Sequence, residues 1–205
     1  MIDLPRLIAC GVTPSVARVF EAPLSIACVQ FGIATPAQQA AFLAQAMHES
    51  RDLTKLEESL WYSRPEIITN AFKRLRTLSH AELLPLCKNP KGLALAAYSN
   101  INGNGGPETG DGWTYRGAGP FQLTGRRNFA DCGTALGRPF ERQPELLRVP
   151  GLDAALSAAW FWNSRGCNGL MTTGNFDETT RRINGGTNGQ KERRALFSVC
   201  LEALT

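Results

Sequence analysis

Histidine is nearly absent from this chain, which carries only His48 and His80 in 205 residues. That scarcity excludes a histidine-rich metal centre and leaves a Cys–His nucleophilic site just two positions to draw on. The six cysteines (Cys10, Cys28, Cys87, Cys132, Cys167 and Cys200) contain no Cys-x-x-Cys pair, which removes the common zinc frameworks. Reduced, buried thiols are expected; Cys132 and Cys167 are the candidate pair in an oxidising space, a pairing the sequence leaves open. No apolar run approaches 18 residues, so no stable membrane insertion is expected. A secretory leader is not legible either: Asp3 and Pro5 interrupt the amino terminus. Leu7-Ile8-Ala9-Cys10 imitates the end of a lipoprotein signal but lacks the hydrophobic run before it. The net charge is a mild +4, and the basic clusters (Arg126-Arg127, Arg181-Arg182, Lys191 to Arg194) are short and fall in expected helices. They read as solvated faces, and without a basic stripe bearing aromatic platforms no nucleic-acid partner is expected.

What is present is helix after helix, which predicts an all-α fold in a single domain over residues 1–205. Asp3 caps a first helix ending at Gly11. Thr13-Pro14 opens a second, which Pro23 interrupts before an apolar segment reaching Phe31-Gly32. Thr35-Pro36-Ala37-Gln38 supplies a capping box and an initial proline for a helix to Ser50. Arg64-Pro65 starts another to about Leu75, Ser79-His80-Ala81-Glu82 caps the next, and Leu93 to Tyr98 is a further helix. The texture then changes. Residues 102–116 hold five glycines and little apolar periodicity, and a loop of that length inside a compact domain is commonly functional. A small hairpin is expected near Trp113 to Leu123, after which Thr124 caps a helix to about Leu136. Three final helices span Leu152 to Arg165, Asp177 to Asn184 and Gln190 to Leu204, with Trp160 and Trp162 read as core.

The stretch Ala41-Phe42-Leu43-Ala44-Gln45-Ala46-Met47-His48-Glu49-Ser50 ends a helix on a carboxylate, and Glu58 follows nine residues later. On one straight helix that interval is a rotation of about 900° and a rise of about 13.5 Å, which points the two acids apart. They serve one substrate only if the helix ends between them, and Ser50-Arg51-Asp52 is the expected place. Paired carboxyls are the machinery of glycosidic cleavage, one protonating the leaving oxygen while the other activates water or attacks. Amides and aromatic faces suited to sugars stand nearby in sequence: Gln122, Asn128, Asn184, Trp61, Tyr62 and Trp113. His48-Glu49-Ser50-Arg51-Asp52 opens like a zinc-peptidase helix, but Asp52 occupies the place of the second histidine. Gly117-Ala118-Gly119 has no parallel-sheet context for a nucleotide fingerprint.

These residues carry a resemblance. Phe42-Leu43-Ala44-Gln45 through His48-Glu49-Ser50 resembles the first motif of family 19 glycoside hydrolases, the chitinase family. Tyr115-Arg116-Gly117-Ala118-Gly119-Pro120-Phe121-Gln122-Leu123-Thr124-Gly125 with Asn128 resembles the second, and Ile183-Asn184-Gly185-Gly186 the third. Tyr62-Ser63, Gly110-Asp111-Gly112-Trp113 and Cys132 with Gly166-Cys167 are similar to the bacteriophage endolysins of that family. The resemblance implies a lysozyme-like bilobal helical fold with a catalytic cleft, and peptidoglycan glycan strands as substrate. It implies Glu49 as general acid and Glu58 as the base that activates water, with Glu57 as a neighbouring competitor. Thr124 would hold that water, while His48, Tyr62, Tyr115, Gln122, Asn128 and Asn184 would line the substrate. No metal or cofactor is implied, and a monomer is expected. Such endolysins are made in the host cytoplasm and reach the wall through a holin-type pore. Two positions depart from the family: Ala118 replaces an Arg of the second motif, and Ser59-Leu60 replaces the Gln-Asn that often follows the second Glu in chitinases.

Overall fold

The structure, a computed structural model, describes residues 2–205, and its regular elements are almost all helices. The helices are α1 (Leu4–Ala9), α2 (Pro14–Gln30), α3 (Pro36–Ser50), α4 (Pro65–Ala71), α5 (His80–Leu83), α6 (Pro90–Tyr98), α7 (Asp111–Thr114), α8 (Arg126–Leu136), α9 (Leu152–Ser164), α10 (Cys167–Thr172), α11 (Phe176–Asn184) and α12 (Gln190–Leu204). Residue contacts gather these into two compact units. The first runs to Leu56 and takes in Gly119–Gln122 and Glu145–Thr205; the second comprises Glu57–Ala118 and Leu123–Pro144.

The first unit is built on α3. Thr35 and Gln38 form the expected reciprocal cap, and Pro36 needs no hydrogen-bond donor at the first helical position. Every residue from Gln38 to Met47 is buried, so α3 is a central helix rather than an amphipathic surface one. It packs extensively on α12, while Phe42 meets Trp162 of α9 edge-on at 5.7 Å. Each fully buried side chain of that size contributes about 1.5–3 kcal/mol.

One expected break is not there: α2 continues through Pro23. Proline at that position removes the hydrogen bond to the carbonyl of Val19, but Val19 is on the solvent side, where water can serve the carbonyl. Packing of the opposite face against α9 holds the helix together. In the second unit the expected helix to Leu75 shortens to α4 followed by a 3-10 turn at Lys73–Thr77, and α8 is capped by Gly125 rather than Thr124.

The second unit closes over Leu60, Ile68, Leu75, Leu83, Leu93, Ala94 and Ala97, with Tyr62, Phe72, Tyr98 and Trp113 packed on its edge. The glycine-rich segment is ordered. Buried Asp111 accepts from the Gly105 amide at 2.8 Å and from Arg126 at 2.8 Å, so one carboxylate fastens the loop to the start of α8. Gly112 lets α7 lie directly on α6, since a Cβ there would stand 2.6 Å from the Ala94 carbonyl oxygen. The anticipated hairpin reduces to isolated antiparallel bridges, Glu57 with Ala118 and Ala118 with Leu123.

Candidate active site

The chain leaves α3 by an uncommon route. Arg51, Asp52 and Leu53 all take positive φ (48°, 57° and 66°), a conformation that costs a non-glycine residue about 1–2 kcal/mol each. Buried Ser50 sustains it: its hydroxyl donates to the Ala46 carbonyl at 2.6 Å and accepts from the Leu53 amide at 3.1 Å. The Asp52 amide turns back to the Met47 carbonyl at 2.9 Å. This left-handed turn is the physical end of the helix that the spacing of Glu49 and Glu58 requires.

In the first unit, Glu49 is held by a residue expected on a solvated face. Arg193 of α12 is only 2% exposed, and its guanidinium donates to Glu49 Oε1 at 2.5 Å and to Gln45 Oε1 at 2.6 Å. Its Nε donates to the Asn188 carbonyl at 3.2 Å. Gln45 is itself buried and donates to Thr180 at 2.7 Å and Thr179 at 3.2 Å. Among the described residues, nothing donates to Glu49 Oε2. The expectation that Lys191 to Arg194 is a solvated face is therefore corrected at Arg193. The signal was present: Arg193 extends the stripe of half-buried Phe197 and buried Cys200 and Leu204 by one helical turn.

His48 lies against the loop between α11 and α12. A Cβ on Gly189, whose φ is +70°, would stand 2.5 Å from the imidazole, so only glycine fits. Burial, then the Arg193 charge, push the His48 pKa down, which keeps the ring neutral at neutral pH; the Glu49 and Glu192 charges oppose them. Among the described residues, its buried Nδ1 has no hydrogen-bond partner, nor has Nδ2 of Asn184 at the end of α11. Gly189→Ala is expected to lower stability by about 1–3 kcal/mol through overpacking and strain, read as a fall in the urea midpoint. An unchanged midpoint would show that the loop can move off His48. Gln122, at φ +50°, donates from Nε2 to the Gly119 carbonyl at 3.1 Å.

In the second unit, the bridge between Glu57 and Ala118 makes the backbone locally extended, and neighbouring side chains alternate in direction. Glu57 pairs with Arg116, whose guanidinium stacks on Trp113 at 3.7 Å. Glu58 is held differently: Tyr98 Oη donates to its Oε1 at 2.6 Å and the Gly117 amide donates to its Oε2 at 3.2 Å. Its own amide donates to the Gly117 carbonyl at 3.0 Å. Burial and then the Glu58 charge push the Tyr62 phenol up. Tyr115 is buried, its hydroxyl donating to the Glu141 carbonyl at 2.8 Å and its ring set edge-on to Phe129. Asn128 donates to the carbonyl of half-buried Thr124 at 2.7 Å. Thus His48, Glu49, Gln122 and Asn184 belong to the first unit, and Glu58, Tyr62, Tyr115, Thr124 and Asn128 to the second. Arg193 and Tyr98 are the two carboxylate partners that sequence reasoning missed. Cys132 and Cys167 lie in different units, and neither forms a disulfide.

No family model matches the chain. A glycosyl hydrolase family 19 domain-containing protein of Haemophilus influenzae is 35% identical over 191 residues, covering 91% of this chain and 90% of the relative. An endochitinase of Arabidopsis thaliana is 39% identical over 75 residues, which is 37% of this chain and 26% of that protein. Among solved structures, a bacterial family 19 chitinase superposes with a TM-score of 0.59 at 21% identity, over 89% of this chain and 85% of the other. That last likeness shows the helical fold alone. The identity sustained along nearly the whole length of the Haemophilus protein goes further: the chain belongs to glycosyl hydrolase family 19 and is a glycoside hydrolase.

Proposed function

We propose that this glycoside hydrolase is an endolysin that cuts the β-1,4 linkages of peptidoglycan glycan strands on the muramic-acid side, with inversion. Glu49 serves as general acid and Glu58 as the base that directs water. The observation that carries the assignment is the unequal support of the two carboxyls. Glu49 has one oxygen anchored by Arg193 and the other without a donor, so Oε2 can present a proton to a glycosidic oxygen. Glu58 accepts on both oxygens, from Tyr98 and from the Gly117 amide, which is the arrangement of a group working as an acceptor. Glu57 is engaged by Arg116, which favours Glu58 for the role. Thr124 stands where the family's second motif has the hydroxyl that steadies the water, and Gln122, Asn128 and Asn184 supply sugar-binding amides.

Peptidoglycan is favoured over chitin by the endolysin-like stretches at Tyr62-Ser63 and Gly110 to Trp113, and by Ser59-Leu60 after Glu58. A bacteriophage-type lysis role, acting as a monomer on the wall after release through a holin-type pore, is part of the same proposal. Chitin is the second reading, favoured by the match to the Arabidopsis endochitinase. The test is digestion of purified peptidoglycan and of chitin oligomers, with borohydride reduction and mass spectrometry of the fragments. New reduced muramic-acid ends are expected. Glucosamine ends would move the cut to the other bond, anhydro-muramic ends would replace hydrolysis by transglycosylation, and cleavage of chitin alone would overturn the wall substrate.

A further inference from the structure

We infer that Tyr98 is the residue that positions the Glu58 carboxylate for water activation, an inference that rests on the base assignment proposed above. Tyr98 ends α6 and is fixed at three points. Its ring sits edge-on to Phe72 at 5.8 Å, and Phe72 in turn meets Tyr62 at 5.8 Å. Its carbonyl accepts from Asn104 Nδ2 at 2.8 Å, and Asn104 Oδ1 accepts from the Arg126 amide at 2.8 Å, which ties the residue to the start of α8. Its hydroxyl then donates to Glu58 Oε1 at 2.6 Å, a length typical of a strong O–H···O⁻ bond.

The polarity of that bond is fixed. Burial, then the Glu58 charge, hold the Tyr98 phenol far above its ordinary range, so it remains a donor at any pH where the enzyme works. A carboxylate offers about four acceptor directions, two on each oxygen. Tyr98 takes one on Oε1 and the Gly117 amide takes one on Oε2. These two donors remove rotation about the carboxyl bond and leave one direction on each oxygen for a water proton. The Gly117 bond alone, at 3.2 Å from a backbone amide, leaves the plane free to swing. Glu58 lies on an irregular segment between α3 and α4, where no helix or sheet imposes its rotamer. The phenol supplies that restraint from a rigid helix end.

The experiment is steady-state kinetics on the substrate that the wild type cleaves, with Tyr98→Phe, Tyr98→Leu and Glu58→Gln beside it. Phenylalanine keeps the ring packing and removes only the donor. Tyr98→Phe is expected to melt as the wild type does, to hold KM within about twofold and to lose about 10–100-fold in kcat, the scale of a small misplacement of a reacting group. Tyr98→Leu should lose as much in kcat and also melt lower. A Tyr98→Phe kcat within twofold of wild type, or a loss expressed in KM alone, would overturn the positioning role while leaving the base assignment standing. A Glu58→Gln variant as active as wild type would instead remove the base assignment, and Tyr98 with it.

Discussion

Glu49→Gln is expected to remove nearly all glycan cleavage and to leave the protein folded. The amide keeps an oxygen that can accept from Arg193, so the contact that seats α12 on α3 survives. What is lost is the ionisable proton proposed for Oε2, the oxygen that accepts from no donor among the described residues. General acid catalysis contributes typically about 10²–10⁴-fold, and a loss of about 10³-fold or more in kcat with KM nearly unchanged is expected. Initial rates on soluble glycan strands, with the thermal melt of the same preparation, check both halves. Retained turnover would assign the acid to another residue, and a collapsed melt would make Glu49 a structural partner of Arg193.

Arg193→Met is expected to have the second large effect, on stability and activity together. Methionine fills a similar volume but strands Glu49 Oε1, Gln45 Oε1 and the Asn188 carbonyl without their donor. Removing one partner of a buried ion pair costs about 3–5 kcal/mol. Glu49 is 23% exposed, so water recovers part of that, and about 3 kcal/mol is the expected loss. Urea unfolding reads it directly. The same change in a Glu49→Gln background should cost less, because the stranded charge is gone; equal costs in the two backgrounds would show that Arg193 and Glu49 are not coupled. Lysine at 193 is expected to recover little, since an ammonium cannot reproduce the planar fork that serves Gln45 and Glu49 at once.

Much of the fold was legible because its signals are local. The caps at Asp3, Thr35 and Ser79 and the prolines at 14, 36 and 65 all mark helix starts where the structure has them. The break after Glu49 was legible for a different reason: two acids nine residues apart do not share a straight helix face. Pro23 misled because a missing hydrogen bond is tolerated where the freed carbonyl faces water, and exposure is a tertiary property. The short α7 and α10 were hidden because each is a few residues set by packing rather than periodicity.

The same distinction governs the site. Glu49 and Glu58 could be named from spacing and motif, but their partners come from elements 40 and 144 residues away. Tyr98 read as the last residue of an apolar helix, and Arg193 as one of several charges on a polar one. Only the phase of the α12 stripe, which puts Arg193 with Cys200 and Leu204, separated it from Arg194 next door. The competition between Glu57 and Glu58 was beyond sequence as well, since it turns on which side chain faces Arg116 and which faces Tyr98.

In the proposed two-carboxyl displacement, Glu58 delivers water to the face opposite the leaving oxygen protonated by Glu49. Such a mechanism needs the carboxyls about 6.5–9.5 Å apart and inverts the anomeric centre. The most direct measurement is proton NMR of soluble glycan strands in the first minutes of digestion, before mutarotation scrambles the new reducing ends. The α-anomer is expected to appear first. The β-anomer appearing first would mean a covalent or substrate-assisted route, and would contradict the roles given to Glu49 and Glu58.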